Sequence, residues 1–189
     1  MFAAVLDTSV LWPSLQRDFL LSLAIEGLYR PLWSSAILEE LEYHETRKLI
    51  DRSEQPDVAA ARVRLIDQMA TAFDDALVEN WEPLEGGFGL PDPDDEHVVA
   101  AAVVGGAGAI VTDNQRDFPE TKIPARIKVL SPAEFAADTV SVSPDIALHA
   151  LQTMAARYAA PPLTTEDILN RLVQRYSMIE AADLIRAVT

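Results

Sequence analysis

The chain has 189 residues, 49% of them hydrophobic, no cysteine and a formal net charge of −15. That length and apolar content suffice for one solid core with an appendage, and they exclude a disordered acidic chain. The missing cysteines exclude a disulfide framework, a thiolate zinc site and a cysteine nucleophile. The acidity argues against nucleic-acid binding through a broad basic surface, but not against a nuclease whose acids hold divalent cations.

The opening MFAAVLDTSVLW carries no basic region ahead of its apolar residues, which predicts no signal peptide. No uncharged apolar run approaches the roughly 18 residues that span a bilayer. A cytoplasmic protein is expected, without membrane contact.

FAAVL (2–6) is a short apolar run stopped by Asp7, the pattern of a fully buried parallel strand. Arg17 to Gly27 carries apolar residues at helical spacing, with Gly27 as the stop. Ser34 or Ser35 caps a helix to about Ile50, with Ile37, Leu38 and Leu41 on one face. Pro56 and Asp57 open another, with Val58, Ala61, Leu65, Met69 and Phe73 on its buried stripe. ALVE (76–79) predicts the second strand, and WEPLEGGFGLPDP a Gly/Pro loop. A helix from Asp94 to Val104 precedes a third strand, AIVT (109–112), and a fourth, IKVL (127–130).

From SPAEF at 131 the pattern turns to helices only, at about 131–138, 144–158, 165–175 and 178–187, with Thr165 as an N-cap. The expected division is an α/β domain over 1–130 and a helical extension over 131–189. Helices alternating with short buried strands imply a parallel sheet covered on both faces, with sites at the carboxyl ends of the strands. Asp7 ends the first strand and Asp113 follows the third.

Four candidate carboxylates lie on separate segments: Asp7, Glu40, the Asp94/Asp95 pair, and Asp113 or Asp117. Singly, each has an ordinary explanation. Asp7 can turn a strand into a loop, and Glu40 can be a solvated helix acid. Asp92 or Asp94 can be an N-cap, while Asp95 and Glu96 suit a positive helix start, worth roughly 0.3–1 kcal/mol each. Asp113 and Asn114 can form a turn. If the chain folds as read, Asp7, Asp95 and the acids at 113–117 converge at one sheet edge, where two carboxylates about 4 Å apart repel by roughly 4 kcal/mol at an effective dielectric near 20. Capping cannot offset several such pairs, whereas a divalent cation can. All-oxygen ligands select Mg²⁺, with Mn²⁺ as a substitute, and such ions suit phosphodiester hydrolysis. His44, His97 and His149 have no metal-ligand spacing and are set aside. GGAGAI (105–110) follows a helix and precedes a strand, the reverse of a dinucleotide loop.

LDTSVLWPSLQRDFLLSLAIEGLYRPLWSSAILEELEYH, followed by LPDPDDEHVVAAAVVGGAGAIVTDNQRDFP, resembles the PIN-domain ribonuclease family over residues 2 to about 130. Within it, the bacterial VapC-type toxins and their PIN_3-like relatives are most similar. The helical tail resembles the C-terminal extension of a long VapC subgroup. The resemblance implies a PIN-like three-layer sandwich with a short central parallel sheet and an all-helical extension. It places the family's acids on Asp7, followed by Thr8 and Ser9; on Glu40, in S-x-x-[IL]-x-x-E-[LI]; and on Asp95, which opens D-x-x-[VI]-x-A-x-A. Asp92 and Asp94 then become capping or neighbouring groups.

The fourth motif departs from the commonest pattern. Many relatives have T-x-D where this chain has Thr112, Asp113 and Asn114. The variant T-x-N-x-x-D-F fits Thr112, Asn114, Asp117 and Phe118, which favours Asp117 and leaves Asp113 open. The resemblance implies a Mg²⁺-dependent endoribonuclease, the toxin of a type II toxin–antitoxin pair, with an antitoxin partner and a homodimeric state. Asp7, Asp95 and Asp117 would hold metal, Glu40 would hold one or orient the attacking water, and Thr8, Ser9 and Thr112 would position acids or phosphate. RNA would be gripped locally by Arg17, Arg47, Lys48, Arg52, Arg62 and Arg64. The alternatives are a nuclease of the same fold acting on structured DNA, and a binding module with a decayed site, for which Asn114 is the argument.

Overall fold

A computed structural model describes residues 2–51 and 58–189, the side chains of 48–51 and 58–63 excepted. The predicted helix start at Pro56 and Asp57 lies outside the described residues, as do the side chains of Val58 and Ala61. Among the described residues five strands form one sheet, in the order β3-β2-β1-β4-β5 with every pairing parallel. They are β1 (Ala3–Leu6), β2 (Arg30–Ser34), β3 (Leu77–Val78), β4 (Ala109–Val111) and β5 (Lys128–Leu130). Ala4, Val5 and Leu6 have no exposed surface, because β1 is central and covered on both faces.

Strand β2 lies where sequence reading placed only a connection between helices. Its RPLWS run includes Pro31, which has no N–H to give a ladder. The geometry removes that objection. Arg30 donates its N–H to Phe2 O on the β1 side (2.8 Å), and Trp33 donates to Ala76 O on the other side (3.0 Å). Pro31 therefore faces the β3 side, where β3 is too short to reach it: it pairs only with Trp33 and Ser34.

The helices are α1 (Thr8–Leu11), α2 (Ser14–Ile25), α3 (Ser35–Asp51), α4 (Val58–Ala72), α5 (Glu96–Val104), α6 (Pro132–Val142), α7 (Pro144–Arg157), α8 (Thr165–Tyr176) and α9 (Ile179–Arg186). Helix α1 has no counterpart in the sequence reading, α2 starts at Ser14 rather than Arg17, and α6 runs on to Val142. Ser34 caps α3, accepting the Ile37 N–H at 3.2 Å. Thr164, not Thr165, caps α8: its hydroxyl accepts the Asp167 N–H at 3.1 Å, and Asp167 reciprocates on the Thr164 N–H at 2.9 Å. Residues 93–95 form a short 3₁₀ turn, so α5 itself begins at Glu96.

The C-terminal helices add to the same apolar core. Phe135 of α6 meets Tyr29 edge-on at 4.8 Å, while Arg157 and Tyr158 reach Ser22 and Asp18 of α2, both at 2.9 Å. Among the described residues no helix is long and apolar enough to cross a membrane.

The chain leaves β1 toward β2 on one side, and β4 lies on the other. The strand order thus reverses between β1 and β4, and a crevice opens outside their carboxyl ends. Asp7 and Thr112 are the residues that follow those two strands.

Candidate active site

Asp7 is fixed from three directions. Its N–H donates to Val111 O (3.0 Å), its carbonyl takes the Val10 N–H at the start of α1 (3.0 Å), and its Oδ2 accepts the hydroxyls of Ser9 and Thr112, each at 2.7 Å. Only 5% of the residue is exposed. The same two hydroxyls strap the loop after β4: Ser9 accepts the Asp113 N–H (3.1 Å) and Thr112 accepts the Asn114 N–H (3.0 Å). Among the described residues no hydrogen bond falls on Asp7 Oδ1, whose lone pairs are left for another ligand.

A second chain of contacts joins three helices. Thr8 of α1 donates to Glu40 Oε2 at 2.5 Å, and Glu40 Oε1 pairs with His97 Nε2 at 3.1 Å. Burial alone would push the Glu40 carboxyl up, but the hydrogen bonds from His97 and Thr8 outweigh it and hold the group below its usual range. His97 is buried, with Trp81 edge-on at 6.0 Å, and its Nδ1 has no partner among the described residues. Burial opposes the imidazolium there, yet Glu40 raises its pKa on balance.

Asp95 stands at the start of α5 with no capping bond. Its carboxyl is pushed up to about 6, by burial first and then by the charges of Asp7, Asp92 and Asp117. Asp95 therefore lies within electrostatic reach of Asp7, across the chain from it in sequence but beside it in space. The other acids of that stretch have separate tasks. Asp92 caps the 3₁₀ turn, accepting the Asp94 N–H at 3.0 Å, and Asp94 points to solvent. Glu96 is buried and accepts the N–H groups of Phe88 (3.0 Å), Gly89 (2.6 Å) and Leu90 (3.0 Å), which hold its carboxyl below the usual range.

These groups enclose a pocket of about 290 Å³ lined by Asp7, Thr8, Ser9, Trp12, Glu40, His44, Asp95 and Asn114. Asp113 and Asp117 line a neighbouring hollow in the loop after β4, which shares Asn114 with it. Partial burial first, then the Asp7 charge, raises the Asp113 carboxyl, against a hydrogen bond from Gln16.

His44 and His97 both belong to this site, although their spacing in sequence gave no reason to select them. The usable signal was helical: His44 follows Glu40 by one turn, and Trp12 follows Thr8 by one turn. Arg17 goes the other way. It is buried, donating to Leu11 O (2.7 Å) and pairing with Glu45 (3.3 Å), so it braces α1 against α3 and is not available to RNA. Arg47 and Arg64 are exposed, whereas the side chains of Lys48, Arg52 and Arg62 lie outside those described.

Among the described residues no group of three or more His, Asp or Glu side chains is arranged to cage an ion unaided. The donor set is instead two neighbouring carboxylates, Asp7 and Asp95, with hydroxyls around them. An all-oxygen pair of that kind fits Mg²⁺, which keeps several waters and is commonly held by one or two carboxylates together with a phosphate.

Residues 3–116 match the model of the PIN domain, PIN_3, and residues 132–187 match that of the VapC50 C-terminal domain. The chain belongs to the PIN-domain family. Its PIN domain is followed by a segment similar to the VapC50 C-terminal domain. One curated relative, from Mycobacterium tuberculosis (strain ATCC 25618 / H37Rv), carries the name "Putative ribonuclease VapC50" and is 33% identical over 88 residues. That alignment covers 46% of this PIN protein and 52% of the relative, so the chain spans about half the length of the protein it matches. No solved structure matches.

Proposed function

We propose that this PIN protein is a Mg²⁺-dependent endoribonuclease, served also by Mn²⁺, and the toxin of a toxin–antitoxin pair. The observation that carries the reading is the Asp7 and Asp95 carboxylates lining one pocket at the crevice beyond β1 and β4, with Asp95 raised to about 6 by burial first and then by neighbouring charges, that of Asp7 among them. The ribonuclease named among its relatives agrees with it.

Asp7 and Asp95 would hold the cation, which would supply a lowered pKa for a water and charge to offset that of the phosphodiester. The Asp7 carboxylate is aimed for this through Oδ2 by Ser9 and Thr112. Asp117 adds negative charge from the adjoining loop. Glu40 stays ionised under the hydrogen bonds of His97 and Thr8 and orients the attacking water. Asn114, at the pocket wall, offers a polar contact to the phosphate. No covalent nucleophile is needed. A cognate antitoxin would silence the site by covering it with a basic segment, and a homodimer would set two such pockets in one particle.

The test incubates labelled single-stranded RNA and DNA of matched sequence with the protein in Mg²⁺, Mn²⁺ or EDTA. RNA cleavage that EDTA abolishes, and that falls by about 100-fold or more in Asp7→Asn and in Asp95→Asn, is expected. Cleavage of DNA alone would transfer the site to a DNA nuclease. Intact RNA and DNA in every metal would leave a binding module.

A further inference from the structure

Three aromatic rings and one guanidinium stand at the mouth of the acid pocket without a part in the chemistry above. Trp12 and His44 line that pocket beside Asp7, Glu40 and Asp95. Trp12 is one turn past Thr8, its N–H bonded to Thr8 O at 2.9 Å, and His44 is one turn past Glu40 on α3. The two rings meet at a centroid distance of 5.9 Å and an angle of 62°. His44 in turn meets Tyr43 at 5.7 Å and 73°, and the Arg47 guanidinium lies 5.8 Å from the centre of the Tyr43 ring. The strip is open: Trp12 is 40% exposed and Tyr43 59%, and His44 and Arg47 are exposed too.

The placement matters because of the charge. A net charge of −15 sets the chain as a whole against phosphate, and Arg17 is locked against Glu45. Base stacking on an aromatic face does not depend on net charge, and it tolerates any base because every base has a π-face. Arg47 places a cation on Tyr43, where a guanidinium can join a stack or meet a phosphate.

We propose that Trp12, His44, Tyr43 and Arg47 form a stacking subsite for unpaired bases of single-stranded RNA next to the phosphodiester held at Asp7 and Asp95. The subsite rests on the nuclease reading of the adjoining pocket, and it adds that the substrate is single-stranded there, since paired bases cannot offer their faces to the strip.

The experiment uses the Asp7→Asn/Asp95→Asn double variant, which spares the probe from cleavage and relieves the repulsion of phosphate. Fluorescence anisotropy measures its affinity for a labelled single-stranded RNA of about 12 nucleotides, for a ribose-phosphate oligomer of equal length without bases, and for an RNA duplex. Binding of the base-bearing strand about 10-fold tighter than the other two is expected. Adding Trp12→Ala or Tyr43→Ala should remove about 5- to 10-fold of that preference and leave the baseless oligomer unaffected. Trp12→Phe, which keeps a ring, should retain most of it. Equal affinity for the strands with and without bases overturns the proposal, as does an alanine variant that loses affinity for both alike. So does a Trp12→Ala protein that elutes as a smaller particle while binding RNA unchanged, because the strip is then an interface between protein chains. The native protein is assayed for Mg²⁺-dependent cleavage in parallel. Absence of cleavage together with base-dependent binding removes the reaction and supports the subsite; cleavage without base dependence does the reverse.

Discussion

Asp95 is a site residue whose protonation the fold controls. Its carboxyl titrates near 6 in the folded protein, against an ordinary value of 3.8. A carboxyl raised on folding holds its proton in the native state after the unfolded chain has lost it. Its charge therefore costs no stability below about 4, and stability is lost as pH rises through the folded value near 6. In metal-free protein, Asp95→Asn should melt higher than the parent at pH 7, and the advantage should vanish by about pH 4. Thermal scans in EDTA across that range check it; a constant offset at all pH values would mean that folding does not raise the Asp95 carboxyl.

The fourth acid is the residue the sequence left undecided. Asp113 and Asp117 both line the hollow beside the pocket, but only Asp117 is among the charges that raise Asp95. Asp117→Asn should lower cleavage more than Asp113→Asn, and the opposite ranking in single-turnover assays would make Asp113 the working acid. Four residues apart on one loop, both acids satisfy a motif, which is why spacing could not separate them. Asp7 and Asp95 were legible for the opposite reason, each being tied by position to the end of a buried strand or the start of a buried helix.

The stretch from Asp92 to Glu96 shows what an element does with crowded acid. Four carboxylates share one helix entrance without sharing one role: Asp92 caps, Asp94 is solvated, Asp95 faces the site and Glu96 anchors the loop 88–90. Asp92→Ala should cost roughly 0.5–2 kcal/mol, as loss of a cap does, with little change in cleavage. Asp94→Ala should cost less, its side chain being exposed. Glu96→Ala leaves backbone N–H groups without an acceptor in a buried setting, at about 1–3 kcal/mol for each donor left unsatisfied, and should be the most destabilising of the three. Urea unfolding ranks them, and a Glu96→Ala protein as stable as the parent would show that the loop is held by other contacts. The role of Glu96 was hidden in sequence because its partners are backbone groups, which no residue pattern encodes. Strand β2 was hidden similarly: Pro31 reads as a strand breaker until the missing neighbour on its side is seen.

At the scale of the whole molecule, the helices and strands follow from apolar periodicity, and the acids from where those elements end. The sheet order that brings Asp7 and Asp95 together is a consequence of both. In the absence of a cation the native state keeps their repulsion, which the unfolded chain relieves by separating them. An ion that binds only the native state should therefore raise the melting temperature, by about 2.7 kcal/mol of stability at 100 times its dissociation constant. Mn²⁺ should bind at least as tightly as Mg²⁺, since affinity rises along the transition series and carboxylates suit both. Ca²⁺ should stabilise yet support little cleavage, because its larger and looser shell places water and phosphate less well. The competing explanation is general: 30 acidic residues against 15 basic ones attract divalent ions anywhere on the surface. Thermal scans with each ion on the parent and on Asp7→Asn/Asp95→Asn separate the two. Scattered binding shifts both proteins equally, because the double variant keeps all but two of the acids. Binding at the site shifts the parent alone, and the variant's melting temperature in EDTA then already lies above the parent's, since the repulsion that the ion would have relieved is gone.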